Sequence, residues 1–579
     1  MINNTQVRVL YREFLFRMVD RELLSTDAQG DSNKLLGRFA AILILLSLGF
    51  AVTLLGIGSG RGNGGRERIL LSALGPEHAL IATTMLIVAI FTVLSWESLF
   101  PDRRDVLVLA PLPVSPANIF LAKAVSLATA LGVTVALFAG IPGLLLPFAL
   151  TPPSYTILDM LFSIDFYRTA LAYSVTVVLA GGFILCCIVC VQALAAQFPR
   201  AIFLRLSAVL QIATFCLCVT VYFLQPSLAS AAQLDRPQNQ QALHMLPSYW
   251  FLGLFQQLNG YPIGLSQAAL TDLAHRAWIA FGVAFAGAAG ALVVFCVRTL
   301  RKIAEQPDIA PARRRSSVAL PLGNSITSAI VHFTSRTMLR SRQHRVLVAF
   351  YTGVGFAAVI LFLNTPVVRM LSAARPNDAW RLLSLPLLAS SFVMLCCWVI
   401  GVRVVFAIPV ELRANWTFRI ATSSPRKTIR GARTAFYIVG LLPCWIVSAA
   451  AFLWLWPWRP AAKHIVVLSL IGFALCTLCL RGFHKIPFTC SYLPGKSNIH
   501  ITLMLTLTLG LNGIFWASSW ERRALFDGSQ YLALLTILVV AAGAAWKWMD
   551  SEAGSEQQEI RFDEQIEAEI LSLGIAGKR

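Results

Sequence analysis

The sequence predicts an all-α polytopic integral membrane protein with about twelve transmembrane helices. Hydrophobic residues make up 57% of the 579 residues and charged residues only 13%, whereas about 25% of the residues of a soluble domain are charged. Apolar runs of the length that a helix needs to cross the hydrocarbon, about 20 residues, also recur along the whole chain. So few polar residues cannot cover the surfaces of several soluble domains, and lipid is therefore the expected solvent.

The predicted spans form two sets of six. The first set covers residues 39–57, 79–99, 122–149, 169–196, 203–224 and 276–297. The second set covers residues 346–364, 382–406, 434–456, 462–480, 499–518 and 529–547.

The net charge of +20 follows the expected topology and does not indicate a nucleic-acid surface. With both termini placed in the cytoplasm, most of the 48 Lys and Arg residues fall in cytoplasmic segments, which is the positive-inside bias. The sequence thus predicts a multi-pass protein of the cell inner membrane, embedded in the lipid bilayer, with no nucleic-acid partner. No cleavable signal peptide is expected, because the first 35 residues are polar and charged.

Composition divides the chain into five segments. A cytoplasmic or interfacial amphipathic segment (1–35) precedes the first six-helix membrane half (36–298). A basic cytoplasmic linker with an interfacial helix (299–345) leads to the second six-helix half (346–549), and an acidic cytoplasmic tail helix (550–579) follows. Each half therefore begins with an amphipathic helix that we expect to lie in the plane of the membrane interface.

Similar cytoplasmic turns follow the second span of each half, which favours an internal repeat. We call them the first elbow (100–123) and the second elbow (409–433). The residues singled out in the first elbow are Asp102, Arg103, Arg104, Asp105, Pro111, Pro113 and Lys123, and those in the second elbow are Glu411, Arg413, Asn415 and Trp416. Prolines stiffen such a turn, and the charges suit the surface of a partner protein. A plain turn with topology-setting arginines is the simpler interpretation.

The longest expected outer segment, residues 225–272, begins polar and ends in an apolar, aromatic stretch. That stretch reads Leu-Pro-Ser-Tyr-Trp over residues 246–250. Aromatic residues at this place suit the membrane interface, so a short re-entrant or surface helix is expected there.

No catalytic residue, cofactor or metal site is expected from the motifs of the chain. Cys187 with Cys190, and Cys476 with Cys479, have CxxC spacing, but both pairs fall inside predicted spans, where metal-binding thiolates would be costly. Residues 494–497, Pro-Gly-Lys-Ser, lack the first glycine of a phosphate-binding loop. Ionisable residues gather at the ends of the predicted spans, so the sequence offers no proton relay.

The first elbow resembles that of the membrane subunits of type-2 ATP-binding-cassette exporters. The resemblance rests on Leu99-Phe100-Pro101-Asp102-Arg103-Arg104-Asp105, on Leu112-Pro113-Val114, on Lys123 at the start of the third span and on the outer Leu246–Trp250 segment. It implies a transport permease whose elbow touches a separate ATPase subunit, while the chain itself hydrolyses no ATP. Most such permeases have six spans and dimerise, so this chain would supply a whole pseudo-dimer. The second elbow matches the family pattern less well.

Two other functions stay open from the sequence. A twelve-span secondary transporter fits the two sets of six and the long basic linker, but the absence of midmembrane charges does not favour it. A membrane enzyme or assembly scaffold acting on lipid or glycan would need clustered polar residues near one interface. The candidates for such a cluster are the loop 484–500 and Tyr249-Trp250.

Overall fold

A computed structural model describes two compact units, unit 1 at Met1–Ala312 and unit 2 at Arg313–Arg579. The described residues are 4–19, 32–59, 66–96, 99–100, 112–150, 162–198, 200–226, 228–260, 267–294, 325–363, 384–406, 408, 410, 418, 420, 425–480, 486–489, 513–514 and 516–554. All regular secondary structure in these residues is helical, which confirms the all-α prediction. The predicted acidic tail beyond residue 554 and the loop at 494–497 lie outside the described residues.

The helices of unit 1 are α1 (Asn4–Val19), α2 (Ser32–Ser59), α3 (Arg66–Leu94), α4 (Pro116–Leu150), α5 (Ile164–Ala196), α6 (Arg200–Leu224), α7 (Ala231–Leu234), a 3-10 turn (Pro237–Asn239), α8 (Gln240–Met245), α9 (Pro247–Asn259) and α10 (Gln267–Val294). The helices of unit 2 are α11 (Ser325–Arg340), α12 (Arg342–Leu363), α13 (Ser384–Phe406), α14 (Pro425–Leu455), α15 (Trp458–Cys479), α16 (residues 516–526) and α17 (Gly528–Gly554).

Eight helices among the described residues are long and apolar enough to cross a membrane. Their apolar stretches are Leu70–Leu94, Ala117–Leu150, Ile164–Ala196, Gln267–Val294, Leu385–Phe406, Arg426–Leu455, Trp458–Cys479 and Gly528–Met549. Each of them overlaps a predicted span. By length and composition, the chain is therefore a multi-pass helical membrane protein.

The other four predicted spans have no such helix among the described residues. Residues 39–57 and 203–224 are helical, but their apolar stretches are the shorter Leu43–Leu54 and Val209–Leu224. Helices α11 and α12 form a pair bent by 79°, which adds a ninth span if the pair is one broken crossing. The predicted span at 499–518 falls mostly outside the described residues.

The core of unit 1 contains α9, the short helix expected in the long outer segment. The Phe251 and Leu254 side chains of α9 are buried, and the helix packs on α3, α5 and α10. Gly253 permits the close approach to α10, since a Cβ atom at this position would lie 2.6 Å from Leu273 Cβ. The helix ends at Gly260, whose φ of +92° favours glycine. Thus α9 is buried within unit 1 rather than exposed on its surface.

Candidate functional site

The first elbow is held by the amphipathic helix α1, which packs on the beginning of α4. Phe14 of α1 is buried against Ile119 and Ala122 of α4. The Lys123 Nζ atom lies 4.8 Å from the centroid of the Phe14 ring, a distance suited to a cation–π interaction. The apolar stripe of α1 is thus buried by protein, and α1 and α4 form one packed pair.

Polar contacts join the same helices to the backbone of the elbow. Asn118 Nδ2 donates to Gln6 Oε1 over 2.9 Å, and Gln6 Nε2 donates to the Pro113 carbonyl over 3.3 Å. Ser115 precedes the helix as its N-cap, because the Asn118 backbone N–H donates to Ser115 Oγ over 3.3 Å. Pro116 follows at the first helical position, where its missing N–H has no cost. The Ser115-Pro116 pair therefore starts α4.

The end of α3, which leads into the first elbow, is fixed by side chains from α5 and α6. Trp96 Nε1 donates to Ser207 Oγ over 2.9 Å. Gln192 Nε2 donates to the Trp96 carbonyl over 2.5 Å, and Gln211 Nε2 donates to the Val93 carbonyl over 2.8 Å. The last carbonyls of a helix lack intrahelical partners, and two glutamine amides supply partners here.

The structure describes two of the predicted elbow residues, Pro113 and Lys123. Pro113 is exposed, as a partner contact requires. Lys123 is 4% exposed, so it is a poor candidate for direct contact with a partner; burial against Phe14 gives it a role in positioning α1. The remaining predicted residues of both elbows lie outside the described residues, namely Asp102, Arg103, Arg104, Asp105, Pro111, Glu411, Arg413, Asn415 and Trp416.

In unit 2 the amphipathic helix α11 packs on the beginning of α14, the helix that follows the second elbow. Gly431 of α14 permits this contact, since a Cβ atom there would lie 2.8 Å from Ile330 Cδ1 and 3.2 Å from Thr327 Cα. His344, near the start of α12, reaches the elbow backbone, with its Nε2 atom 3.0 Å from the Ile408 carbonyl oxygen. An amphipathic helix therefore adjoins the helix after the elbow in each unit.

A loop that the sequence did not assign, residues 486–489, also contacts the second elbow. The Phe488 N–H donates to the Phe406 carbonyl over 3.2 Å, and the Val410 N–H donates to the Phe488 carbonyl over 3.1 Å. The Phe488 ring lies edge-on to His344, with ring centroids 4.8 Å apart. Phe488 has a φ of 65°, a left-handed conformation that is rare for a bulky residue. Only the apolar Ile-Pro-Phe stretch in an otherwise polar loop could have indicated this contact.

Two ionisable side chains lie inside α3, which corrects the expectation that such residues gather only at span ends. Glu77 and His78 are 2% and 6% exposed. Gln256 Nε2 donates to Glu77 Oε2 over 2.5 Å, and His78 Nε2 lies 3.0 Å from Ser248 Oγ. His78 also stacks on Tyr249, with ring centroids 4.0 Å apart. The partners come from α9, at least 170 residues further along the chain, so no local pattern could have indicated them.

A second buried polar group lies in unit 2. His464 Nδ1 is 2.8 Å from Glu521 Oε1, and His464 Nε2 is 3.0 Å from Ser391 Oγ. Burial raises the pKa of Glu521, while the charge of His464 and its hydrogen bond act in the opposite direction. Ionisable residues inside a membrane protein are functional-site candidates in their own right.

Comparisons of the chain with protein-family models, with curated proteins and with solved structures gave no match. Among the described residues, no group of three or more His, Cys, Asp or Glu side chains is placed to hold a metal ion.

Proposed function

We propose that the chain is the membrane permease of an ATP-binding-cassette-type exporter, driven by a separate ATPase subunit in the inner membrane. The observation that carries the proposal is the packed assembly of the first elbow. Gln6 joins the Pro113 carbonyl to Asn118, and Phe14 covers Lys123. A displacement of the elbow by a partner would therefore move α1 and α4 together.

The coupling we propose starts at the charged part of the elbow. Arg103 and Arg104, with their acidic neighbours, would pair with charges of the ATPase surface. Close packing transmits such a displacement, because protein interiors resist compression. Since α4 contains a membrane-spanning stretch of 34 residues, its movement would alter the translocation path.

The arrangement of unit 2 supports two related halves in one chain. Helix α11 packs on α14 as α1 packs on α4, and in both units the supported helix directly follows an elbow. We infer that one chain supplies both halves of a pseudo-dimer.

Affinity purification of the full-length chain from its native membranes tests this function. We expect an ATP-binding-cassette ATPase to be recovered. Reversal of the elbow charges in R103E/R104E should lower its recovery about tenfold, a loss of about 1.4 kcal/mol in binding. The matched control is R522E/R523E, which reverses an exposed arginine pair on α16. Repeated purification without an ATPase, or equal recovery with both variants, would contradict the proposal.

A twelve-span secondary transporter is the second candidate, favoured by the buried ionisable groups of α3, α15 and α16. Transporters driven by ion gradients commonly hold Asp, Glu or His in their membrane interior. Substrate movement in proteoliposomes separates the two functions. Transport that follows an ion gradient and ignores ATP would favour the secondary transporter, and transport that requires ATP and the added ATPase would favour the exporter.

A further inference from the structure

His464 and Glu521 form a buried acid–base pair that the exporter function does not use. His464 of α15 is 0% exposed and Glu521 of α16 is 1% exposed. His464 Nδ1 lies 2.8 Å from Glu521 Oε1. On the other side of the imidazole, His464 Nε2 contacts the Ser391 hydroxyl of α13. Three helices that are distant in sequence are thus linked by one chain of hydrogen bonds.

The surroundings of the pair are apolar. The Phe452 ring centroid lies 4.3 Å from that of His464, and those of Phe392 and Trp456 lie at 5.7 and 6.3 Å. Glu521 Oε2 is buried and has no hydrogen-bond partner among the described residues. In such an apolar environment a net charge is expensive.

Two other described ionisable side chains lie near the pair. Lys463 of α15 donates from Nζ to the Leu525 carbonyl over 3.2 Å and lies 5.0 Å from the Tyr531 ring of α17. Tyr531 interacts electrostatically with Glu521, and its hydroxyl donates to the Lys463 carbonyl over 3.1 Å. On α16, Arg522 and Arg523 are exposed. The polar group that α13 contributes is the Ser391 hydroxyl, and the aromatic rings belong to Phe452 of α14 and to Trp456, which directly follows α14.

The hydrogen bonds of Ser391 determine which proton can exchange. With its hydroxyl hydrogen donated to the Leu388 carbonyl over 2.8 Å, Ser391 can contact His464 Nε2 only as an acceptor. In the histidine tautomer that fits this arrangement, Nε2 is the donor and takes no proton from Ser391. Although Ser, His and Glu occur in the order of a hydrolase triad, this serine is buried and is not activated. The exchangeable proton lies between His464 Nδ1 and Glu521.

The charge balance of the pair requires one such proton. With one proton, the pair is neutral overall, either as imidazolium with carboxylate or as imidazole with carboxylic acid. Loss of that proton to water would leave a buried carboxylate, and gain of a second proton from hydronium would leave a buried imidazolium. Both states carry an uncompensated charge in an apolar site.

We propose that His464 and Glu521 form a proton-binding site, which holds one exchangeable proton in this occluded conformation and exchanges it with water when α13, α15 and α16 separate. The ligand is the proton itself. The exchange forms or breaks one bond to hydrogen at Nδ1 or at a Glu521 oxygen, and water takes or supplies the proton. The site is independent of the elbow and of any ATPase.

Thermal unfolding of the full-length protein in lipid nanodiscs, from about pH 5 to about pH 9, tests the proposal. Above about pH 6.5 an unfolded chain has ionised Glu and neutral His, so the folded pair holds one proton more than the unfolded chain. Above about pH 6.5 the stability of the wild type should therefore fall, as pH rises, more steeply than that of E521Q, by a slope of about one proton. In E521Q the pair cannot share a proton, so on acidification below about pH 6.5 this variant should lose stability that the wild type keeps.

The exposed contact of His244 with Asp272 provides the matched control. Its Nε2–Oδ2 distance is 3.2 Å, and the two side chains are 36% and 48% exposed. D272N should leave the proton slope of the wild type unchanged. Identical pH profiles for wild type and E521Q would overturn the proposal. If E521Q does not fold, H464Q replaces it. In H464Q the unfolded Glu521 ionises near about pH 4.3, so between about pH 5 and about pH 6.5 its stability should fall, as pH rises, more steeply than that of the wild type; equal slopes there would overturn the proposal.

Discussion

Each unit contains a buried histidine that contacts a serine hydroxyl, but the second partner of the histidine differs between the units. In unit 1, His78 Nε2 lies 3.0 Å from Ser248 Oγ, and Ser248 donates onward to Gln225 Oε1. In unit 2, His464 makes the same 3.0 Å contact with a serine, yet its Nδ1 meets the carboxylate of Glu521. The same hydrogen bond thus belongs to a polar network in unit 1 and to an acid–base pair in unit 2.

The acidic residue of unit 1 shows what the difference means. Glu77 precedes His78 in the chain, but its carboxyl group accepts from the Gln256 amide. An amide cannot share a proton with a carboxyl group at ordinary pH, whereas an imidazole can. We therefore expect proton exchange in unit 2 and a structural role for the unit 1 network, which fixes α9 to α3.

Removal of each histidine should give the largest difference between the units. His464→Ala leaves Glu521 buried without its partner, which should lower the free energy of unfolding by about 3–5 kcal/mol. His78→Ala removes a stacked ring and one hydrogen bond, at a cost of about 1–3 kcal/mol. Unfolding midpoints of both variants in the same detergent measure the difference. Equal losses would show that the carboxylate of Glu521 does not depend on His464.

Helix packing offers the second comparison. Gly253→Ala places a Cβ atom 2.6 Å from Leu273 Cβ and 2.9 Å from the Leu270 carbonyl, and such overpacking should cost about 1–3 kcal/mol. Gly431→Ala in unit 2 meets the tip of the flexible Ile330 side chain first, so its cost should be smaller.

The control for both glycine variants is Gly282→Ala in α10, where no described atom outside the helix's own backbone lies within 4 Å of the added Cβ. It should leave stability unchanged or raise it by up to about 1 kcal/mol, because alanine favours a helix more than glycine does. A loss in the control similar to that of Gly253→Ala would mean that the approach of α9 to α10 is not what requires glycine.

The sequence predicted the helices that depend on local pattern. Apolar runs indicated the eight long spans, and the amphipathic segment predicted over residues 1–35 contains α1. The third span was predicted from residue 122, whereas α4 begins at Pro116; the preceding Ser115 and Pro116 have the residue types that are typical of a helix start. Each of these features depends on residues a few positions apart, so a single sequence contains the whole signal.

The sequence did not predict the buried polar groups or the loop at the second elbow. Glu77 stands close to the end of a predicted span, and Glu521 lies just beyond another, which is where solvated charges are expected. Their burial depends on Gln256 and His464, which are 179 and 57 residues away. Phe488 likewise reaches Phe406 only through tertiary folding. Such pairings are set by the packing of whole helices, which local periodicity does not contain.

The hydrogen bonds of Tyr249 in unit 1 give a prediction about alkaline pH. Tyr249 donates to the Pro226 carbonyl over 2.5 Å, and its oxygen accepts from the Leu228 N–H over 2.9 Å. Burial raises the pKa of Tyr249 to about 12. Because the folded state favours the protonated phenol, this stability is present below about pH 10, the ordinary tyrosine value, and falls as pH rises towards 12.

Tyr249→Phe should lose about 1–2 kcal/mol at neutral pH through the two hydrogen bonds, and it should lose less further stability above about pH 10 than the wild type does. Unfolding midpoints at neutral and alkaline pH measure both effects. Tyr167→Phe is the control, because Tyr167 is 61% exposed. A wild-type profile in the Tyr249→Phe variant would show that the phenol does not stabilise α9.

The smallest expected effect concerns the two phenylalanines that pack at the elbows, Phe14 and Phe488. The first elbow rests on Phe14 in a regular helix, whereas the second rests on Phe488, whose φ of 65° is unfavourable for any residue with a Cβ atom. Phe488→Ala loses the ring and keeps the strained backbone, while Phe488→Gly loses the ring and relieves the strain. We expect the glycine variant to be more stable than the alanine variant by about 1 kcal/mol. At position 14 the order should reverse, because glycine disfavours a helix by about 1 kcal/mol relative to alanine. The same order at both positions would mean that the left-handed backbone of the loop contributes nothing to the difference between the elbows.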